Sequence, residues 1–191
     1  MTGAGSFPVR AQILVSGVGG QGVLFVTRLL AEAAIAKGEN VLTSETHGMA
    51  QRGGVVVSHL KVGDFASPLI RAGHADGLVV LKEENLSVHH RFLRPGGWAV
   101  VNAKAAPGDF PFPVHAVNAE RIAAEAGNPQ GANMVLLGFT LARLVASGDG
   151  GKVFCTGEEM RETISRRFEG RGSLLAASLA GLDLGMSYGR R

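Results

Sequence analysis

Ten consecutive residues hold much of the chemistry this chain can offer: Glu45-Thr46-His47-Gly48-Met49-Ala50-Gln51-Arg52-Gly53-Gly54 combines an acid, an imidazole, an amide, a guanidinium and three glycines. Such a segment has few apolar side chains to bury and many polar groups to satisfy, so a ligand or a partner surface explains it better than a core does. Arg52, between Gln51 and the open backbone of Gly53-Gly54, is placed for a forked contact with a phosphate or carboxylate. An ion pair with an acid of this chain or of a partner fits Arg52 equally well. Glu45 suits a ribose hydroxyl or Arg52 itself. The His47 imidazole can hydrogen-bond or move a proton, or simply hold a loop. Met49 offers a thioether to an aromatic ring or fills the core.

A second polar, glycine-hinged segment, Gly17-Val18-Gly19-Gly20-Gln21-Gly22, lies just upstream. It has the G-x-G-x-x-G form in the right setting, with an apolar run over 12–16 before it and a helical pattern over 23–37 after it. Glycines allow a tight turn and close backbone approach, so amides at the helix N-terminus can face a phosphate with the helix dipole behind them. Glu45 stands roughly 20 residues beyond, where a ribose-binding acid is expected. A nicotinamide or flavin dinucleotide is the first reading, and a merely structural strand-to-helix turn is the other. Two features depart from an ordinary dinucleotide domain: the Gln21 amide, which can fold over the loop, and the dense polar run after Glu45. The two segments bracket one βαβ unit and point to one site.

The elements that must position them follow from hydrophobic period. Residues 12–16 read as a central strand covered on both faces. The helix over 23–37 places Val23, Val26, Leu29, Leu30, Ala33 and Ala34 on one side and stops at Lys37-Gly38. Strands are expected over 40–44, over 55–62 with one solvated face, and over 77–81 and 98–102 as buried types. A helical segment over 84–92 and a Pro95-Gly96-Gly97 turn separate the last two. An edge strand over 112–117 and a short helix over 119–126 follow. The βαβα rhythm predicts an α/β fold with a largely parallel sheet between helices. Three helices, over 132–147, 157–170 and 174–188, then form a compact cover, the second with a Thr156-x-x-Glu159 capping box. Residues 1–10 read as a flexible leader and 11–191 as a single domain, because 148–152 is too short for a linker.

Bulk properties exclude several classes. With 46% hydrophobic and only 18% charged residues the chain suits a folded globule. The 28 glycines show no fixed period, which excludes collagen and solenoid repeats. A formal net charge of +3 without a basic run or interleaved aromatics argues against nucleic-acid binding. Arg161, Arg166, Arg167 and Arg171 read as a solvated basic face able to dock an acidic partner. A single cysteine, Cys155, leaves no internal disulfide, cysteine-rich zinc site or iron–sulfur cluster to this chain alone. His59, His74, His89, His90 and His115 lack metal-ligand spacing, so no metal site is assigned. Asn133, at the start of an apolar helix, either caps it or points to the glycine loop, with capping the safer reading. Neither a signal peptide nor a membrane span is expected, and a cytoplasmic location follows.

Taken together, Gly17-Val18-Gly19-Gly20-Gln21-Gly22-Val23, Ser44 through Gly54, Ala75-Asp76-Gly77, Pro95-Gly96-Gly97 and Asn133-Met134-Val135-Leu136-Leu137-Gly138 resemble the gamma-type domain of the 2-oxoacid:ferredoxin oxidoreductases. Within that family the His-Gly-Met-Ala-Gln-Arg-Gly-Gly form is similar to the beta subunits of the indolepyruvate, or arylpyruvate, branch. The resemblance runs in order from about residue 12 to 140 and fades after Gly150. It implies a three-layer α/β/α, Rossmann-like fold with a mostly parallel or mixed sheet, forming the small subunit of an enzyme that oxidatively decarboxylates an aryl 2-oxoacid to an acyl-coenzyme A and reduces ferredoxin. Other implied readings are the gamma subunit of a pyruvate or 2-oxoglutarate enzyme, a stand-alone NAD(P) or flavin reductase, and a docking subunit. Thiamine diphosphate and iron–sulfur clusters are then expected on a large catalytic partner and coenzyme A as co-substrate, with the isolated chain inactive. On this reading Gly17, Gly19, Gly20, Gln21, Gly22, Glu45, Gln51, Arg52, Gly53 and Gly54 bind cofactor, and His47 has an auxiliary catalytic role near the substrate carbonyl.

Overall fold

The computed structural model describes residues 9–48, 53–148 and 154–191. The first apolar run forms β1 (Ala11–Val18), followed by α1 (Val23–Ala36), β2 (Val41–His47), β3 (Val55–Val62) and β4 (Ala75–Val80). Then come α2 (Asn85–His89), a 3-10 turn (His90–Phe92), β5 (Leu93–Asn102), β6 (Val114–Val117) and α3 (Ala119–Glu125). The chain ends in α4 (Ala132–Ala146), α5 (Gly157–Arg167) and α6 (Gly172–Gly189).

The six strands make one mixed sheet in the order β2-β3-β1-β4-β5-β6. β1, β4, β5 and β6 run parallel, whereas β3 is antiparallel to both neighbours, β1 and β2. β1 is central as expected, with Leu14 and Val15 fully buried on opposite faces. β3 corrects the reading of a half-solvated strand: residues 56–62 are all buried. It is inserted between two strands, α1 covers one face, and on the other the segment carrying Ile70 closes over it, the Ile70 amide donating to His59 Nδ1 at 3.2 Å. A polar alternation in sequence therefore marked a covered strand, because His59 is satisfied by that segment.

Pro95-Gly96-Gly97 is a bulge inside β5 and not a turn before it. Ala75 pairs with Leu93 and Gly77 with Trp98, so the extra residues are looped out, with Gly96 in the left-handed region at φ 75°. The bulge brings the Trp98 ring over Gly77, where any Cβ would strike it, and the indole is buried.

Helices lie on both faces, unequally. One face carries α1, α3, α4 and α5, and α6 packs on α4 as an outer layer; the other carries only α2, the 3-10 turn and aromatic loop residues such as Phe110 and Phe112. The α4–α6 crossing is built on glycine: Cβ atoms at Gly138 and Gly185 would run into the backbone oxygens of Leu182 and Val135, and one at Gly189 would sit 2.7 Å from the Phe139 oxygen. Gly181, Gly185 and Gly189 recur every four residues, so one stripe of α6 lets the two backbones touch.

α5 starts with the expected capping box: the Glu159 amide donates to Thr156 Oγ1 at 3.2 Å and the Thr156 amide to Glu159 Oε2 at 2.8 Å. The solvated basic face needs correcting here. Arg167 is paired with Glu32 of α1 and stacks on Phe25, and Arg161 is paired with Asp183 of α6. Two of the four arginines thus clamp the helical cover, while Arg166 and Arg171 remain exposed. No helix among the described residues is long and apolar enough to cross a membrane.

Candidate functional site

From β1 the chain crosses through α1 toward β2, and from β4 it crosses through α2 toward β5 on the opposite side. A crevice therefore opens beyond the carboxyl ends of β1 and β4, the usual ligand position in open α/β sheets. The glycine loop lies there.

Gln21 shapes that loop. Its amide donates to the Val18 oxygen at 3.2 Å, its Oε1 accepts the Val18 amide at 2.9 Å, and its Nε2 donates to the Leu81 oxygen at 3.2 Å. The side chain folds back over the turn and ties the end of β1 to the end of β4. Gly17 is the last residue but one of β1, where a Cβ would sit 2.9 Å from that Oε1. Gly20 and Gly22 take left-handed angles, φ 94° and 82°, and Gly22 opens α1 without a side-chain cap. A Cβ on Gly20 would meet open space, whereas one on Gly22 would strike Asn133 Nδ2.

The two polar segments do meet. The Gly48 amide donates to the Val55 oxygen at 2.8 Å, extending the β2–β3 pairing by one residue, and the Gly19 amide donates to the Gly54 oxygen at 3.1 Å, so the residue before β3 lies beside the glycine loop. This contact also commits the Gly19 amide to the protein itself, leaving Gly20 as the glycine that faces open space.

Beside the loop lies a cavity of about 260 Å³, walled by Gly20, Gln21, Leu81, Asn102, Glu120 and Asn133 among others. Asn133 sits in the first turn of α4, but Gly131 is that helix's N-cap and no side chain caps it. Capping is therefore not its role; it faces the glycine loop. A second, smaller cleft of about 140 Å³ shares Leu81, Asn102 and Glu120 and adds Lys82, Lys104 and Asn118. Together they run along the carboxyl edge of the parallel strands.

Asn102 and Glu120 escaped sequence reasoning. Asn102 donates from Nδ2 to the Leu81 oxygen at 3.2 Å and accepts the Ala119 amide at 2.9 Å, so it fixes the start of α3 against the end of β4. A polar residue closing a buried strand was the available signal. Behind the loop, Ser16, Asn85 and His89 form a buried triad: Asn85 Nδ2 donates to Ser16 Oγ at 3.0 Å and to the Gly17 oxygen at 2.9 Å, and Ser16 Oγ meets His89 Nδ1 at 2.8 Å. Burial, then Arg91, push the His89 pKa down, and a bond to the Asn85 backbone partly opposes them.

Glu45 is not at the end of the second strand; β2 continues through His47, and Glu45 pairs with Ser58. In a dinucleotide domain the strand bearing the ribose acid lies next to the first strand. Here β3 intervenes, and Glu45 is an exposed residue of the edge strand. His47 pairs with Val56 through its backbone. Met49, Gln51 and Arg52 lie outside the described residues. Cys155 is buried, and burial, with Glu159 nearby, pushes its thiol up to about 12, a protonated group unlike a metal-binding thiolate. Among the described residues no three His, Cys, Asp or Glu side chains group as a metal site.

The profile of the pyruvate ferredoxin/flavodoxin oxidoreductase family matches residues 12–188. The chain belongs to this family. The family match spans the glycine loop, the second motif and the helical cover alike. Indolepyruvate oxidoreductase subunit IorB of Archaeoglobus fulgidus is 36% identical over 152 residues, 69% of this chain and 76% of that protein. The gamma subunit of a keto/oxoacid ferredoxin oxidoreductase from Geobacter sulfurreducens superposes with a TM-score of 0.71 at 25% identity, covering 94% of this chain and 98% of the other. Pyruvate oxidoreductase subunit PORC of Thermotoga maritima shares the fold, with a TM-score of 0.74 at 23% identity over 93% of this chain and 96% of its own.

Proposed function

We propose that this chain is the small subunit of an indolepyruvate, or arylpyruvate, 2-oxoacid:ferredoxin oxidoreductase, acting as one gamma-type domain over residues 11–191 in the cytoplasm. The observation that carries the reading is the cleft at the β1/β4 switch point, where the glycine loop, held to Gly54 of the second polar segment, meets four carboxamides. The similarity to IorB supports the arylpyruvate branch.

In this reading the cleft receives the phosphate-bearing part of coenzyme A. Gly20 lets the ligand approach the backbone, Gln21 holds the turn rigid, and Asn133 offers its amide to a phosphate oxygen. The start of α1 adds dipole charge, and Lys82 and Lys104 supply cations at the mouth. Gln51, Arg52, Gly53 and Gly54 are assigned to binding the cofactor with the glycine loop, which Gly54 touches through the Gly19 amide, and His47 is assigned to orienting the substrate carbonyl. Glu45 is assigned to the subunit boundary.

One buried, protonated cysteine does not fit an iron–sulfur cluster, so clusters and thiamine diphosphate belong to a large catalytic partner that passes electrons to ferredoxin. Thiamine diphosphate supplies carbanion stabilisation there; this chain's residues bind, orient and exclude water.

The test is reconstitution. Alone, the purified chain should be colourless and inactive, and with a large subunit it should support coenzyme A-dependent oxidation of indolepyruvate with ferredoxin reduction. Arg52→Lys should lower the reconstituted rate or coenzyme A affinity by roughly one to two powers of ten, the loss of about 1.5–3 kcal/mol from a forked charged contact. Oxidation of arylpyruvate by the isolated chain, or stoichiometric iron in it, overturns the assignment. A collapsed melting temperature in Arg52→Lys makes that arginine an internal structural partner.

A further inference from the structure

The opposite edge of the sheet, where the parallel strands begin, carries an unexplained concentration of positive charge. Lys61 lies near the end of β3, flanked in register by Gln12 of β1 and Leu42 of β2. It is only 7% exposed, an unusual place for an ammonium without a paired acid. Its Nζ lies 5.0 Å from the centre of the Phe65 ring, and the Arg10 guanidinium approaches the same ring at 4.5 Å. Arg71 follows Ile70, whose amide donates to His59 two residues before Lys61 in β3, so the closing segment carries a third cation to this end of the strand.

Among the described residues, no carboxylate forms an ion pair with Arg10, Lys61 or Arg71. Asp76, an acid at this edge, is committed to Arg94 at 2.6 Å and to the Gln12 amide at 2.7 Å. One aromatic face offsets part of the cost of an ammonium lodged between strands. It does nothing for the mutual repulsion of three cations, and an apolar residue at position 61 would pack between Leu42 and Phe65 without that repulsion. What removes both costs is an anion, which a lysine and two arginines gathered at one sheet edge are suited to hold.

We propose that Arg10, Lys61 and Arg71, backed by Phe65, form an oxyanion-binding site for a phosphate-class dianion, at the sheet edge remote from the glycine loop. Lys61 contributes a point charge from the floor, and the two exposed guanidiniums close over the anion with forked hydrogen bonds. Burial, Arg71 and Arg10 together lower the Lys61 pKa, as expected of a cation among cations, and a bound dianion reverses that effect.

The probe is inorganic phosphate, titrated calorimetrically into the full chain at constant ionic strength maintained with sodium chloride. Phosphate is expected to bind the parent, and Arg71→Ala and Lys61→Met to weaken this site tenfold or more. Arg71 is exposed and far from the glycine loop, so its variant reads this site alone and stays informative even if Lys61→Met fails to fold. Sodium acetate at the same ionic strength should bind far more weakly. No phosphate binding by the parent, affinities unchanged in Arg71→Ala, or an equal response to acetate would each overturn the proposal.

Discussion

Glycine does opposite work in two parts of this molecule. At the glycine loop, Gly20 and Gly22 supply left-handed backbone angles beside a cavity, and the space that a side chain would fill at Gly20 is empty. In the α4–α6 seam, Gly138, Gly181, Gly185 and Gly189 have ordinary helical angles, and their missing side chains let two backbones pack without a gap. Loop glycines are needed for their torsions and for access, whereas seam glycines are needed for their size. One kind of position tolerates repacking of its neighbours; at Gly138, Gly185 and Gly189 the first obstacle is backbone.

The largest effect should come from the seam. Gly185→Ala drives a Cβ into the Val135 oxygen, which cannot rotate away, so the loss should reach the upper end of overpacking costs, about 3 kcal/mol or more. Urea unfolding monitored by circular dichroism measures it, and a loss under about 1 kcal/mol would mean the helices separate freely. Next is Gly22→Ala, which combines about 1–2 kcal/mol of left-handed strain with a collision against Asn133 Nδ2. Because that obstacle is a side chain, Asn133→Ala should recover roughly 1 kcal/mol in a double-mutant cycle. Strict additivity of the two changes would break the contrast with Gly185. Smaller again is Gly20→Ala, which meets nothing within 4 Å and should cost only the torsional strain, about 1–2 kcal/mol, while reducing coenzyme A affinity in the reconstituted enzyme. Unchanged affinity there would leave the loop a plain structural turn.

The same contrast explains what could be read from sequence. Loop glycines announce themselves by spacing and by the apolar strand and helix around them, so Gly17 to Gly22, β1 and α1 were legible. So was the Thr156/Glu159 capping box, a wholly local device. Seam glycines carry no such signal: Gly181, Gly185 and Gly189 have their meaning only against α4, which nothing local to α6 reveals. The strand order was hidden for the same reason. Period two identifies β3 as a strand but says nothing about which strands flank it, and its placement between β1 and β2 is what moves Glu45 away from the glycine loop. Asn102 likewise became a site residue, and the choice between Asn133's two readings was made, only when the chain crossings met at one sheet edge.

The mildest test concerns how the loop is held from behind. Asn85 bonds the Gly17 oxygen, and Ser16 joins Asn85 to His89, so the triad anchors the start of the loop through the sheet. Both buried imidazoles on this face have depressed pKa values: His89 through burial and then Arg91, His59 through burial and then Lys61 and His89. His59 must also keep Nδ1 unprotonated to accept the Ile70 amide. A folded-state pKa below the unfolded value means that the unfolded chain takes up protons first as pH falls. The stability these groups contribute is therefore complete above the unfolded value of about 6.5 and is lost as pH drops through the folded values. Glu159 does not confuse this window, because burial is outweighed there by the Thr156 amide and Lys37, which hold its carboxyl below the ordinary value. Urea midpoints should thus decline from about pH 7.5 to about pH 5, and His89→Gln should flatten the decline while leaving the larger part of His59's share, which comes from burial and Lys61. The α4–α6 seam contains no histidine, so Gly185→Ala should lower the whole curve without changing its slope. A slope unaltered by His89→Gln, or one changed by Gly185→Ala, would show that the buried triad and the glycine seam are not the separate devices their geometry indicates.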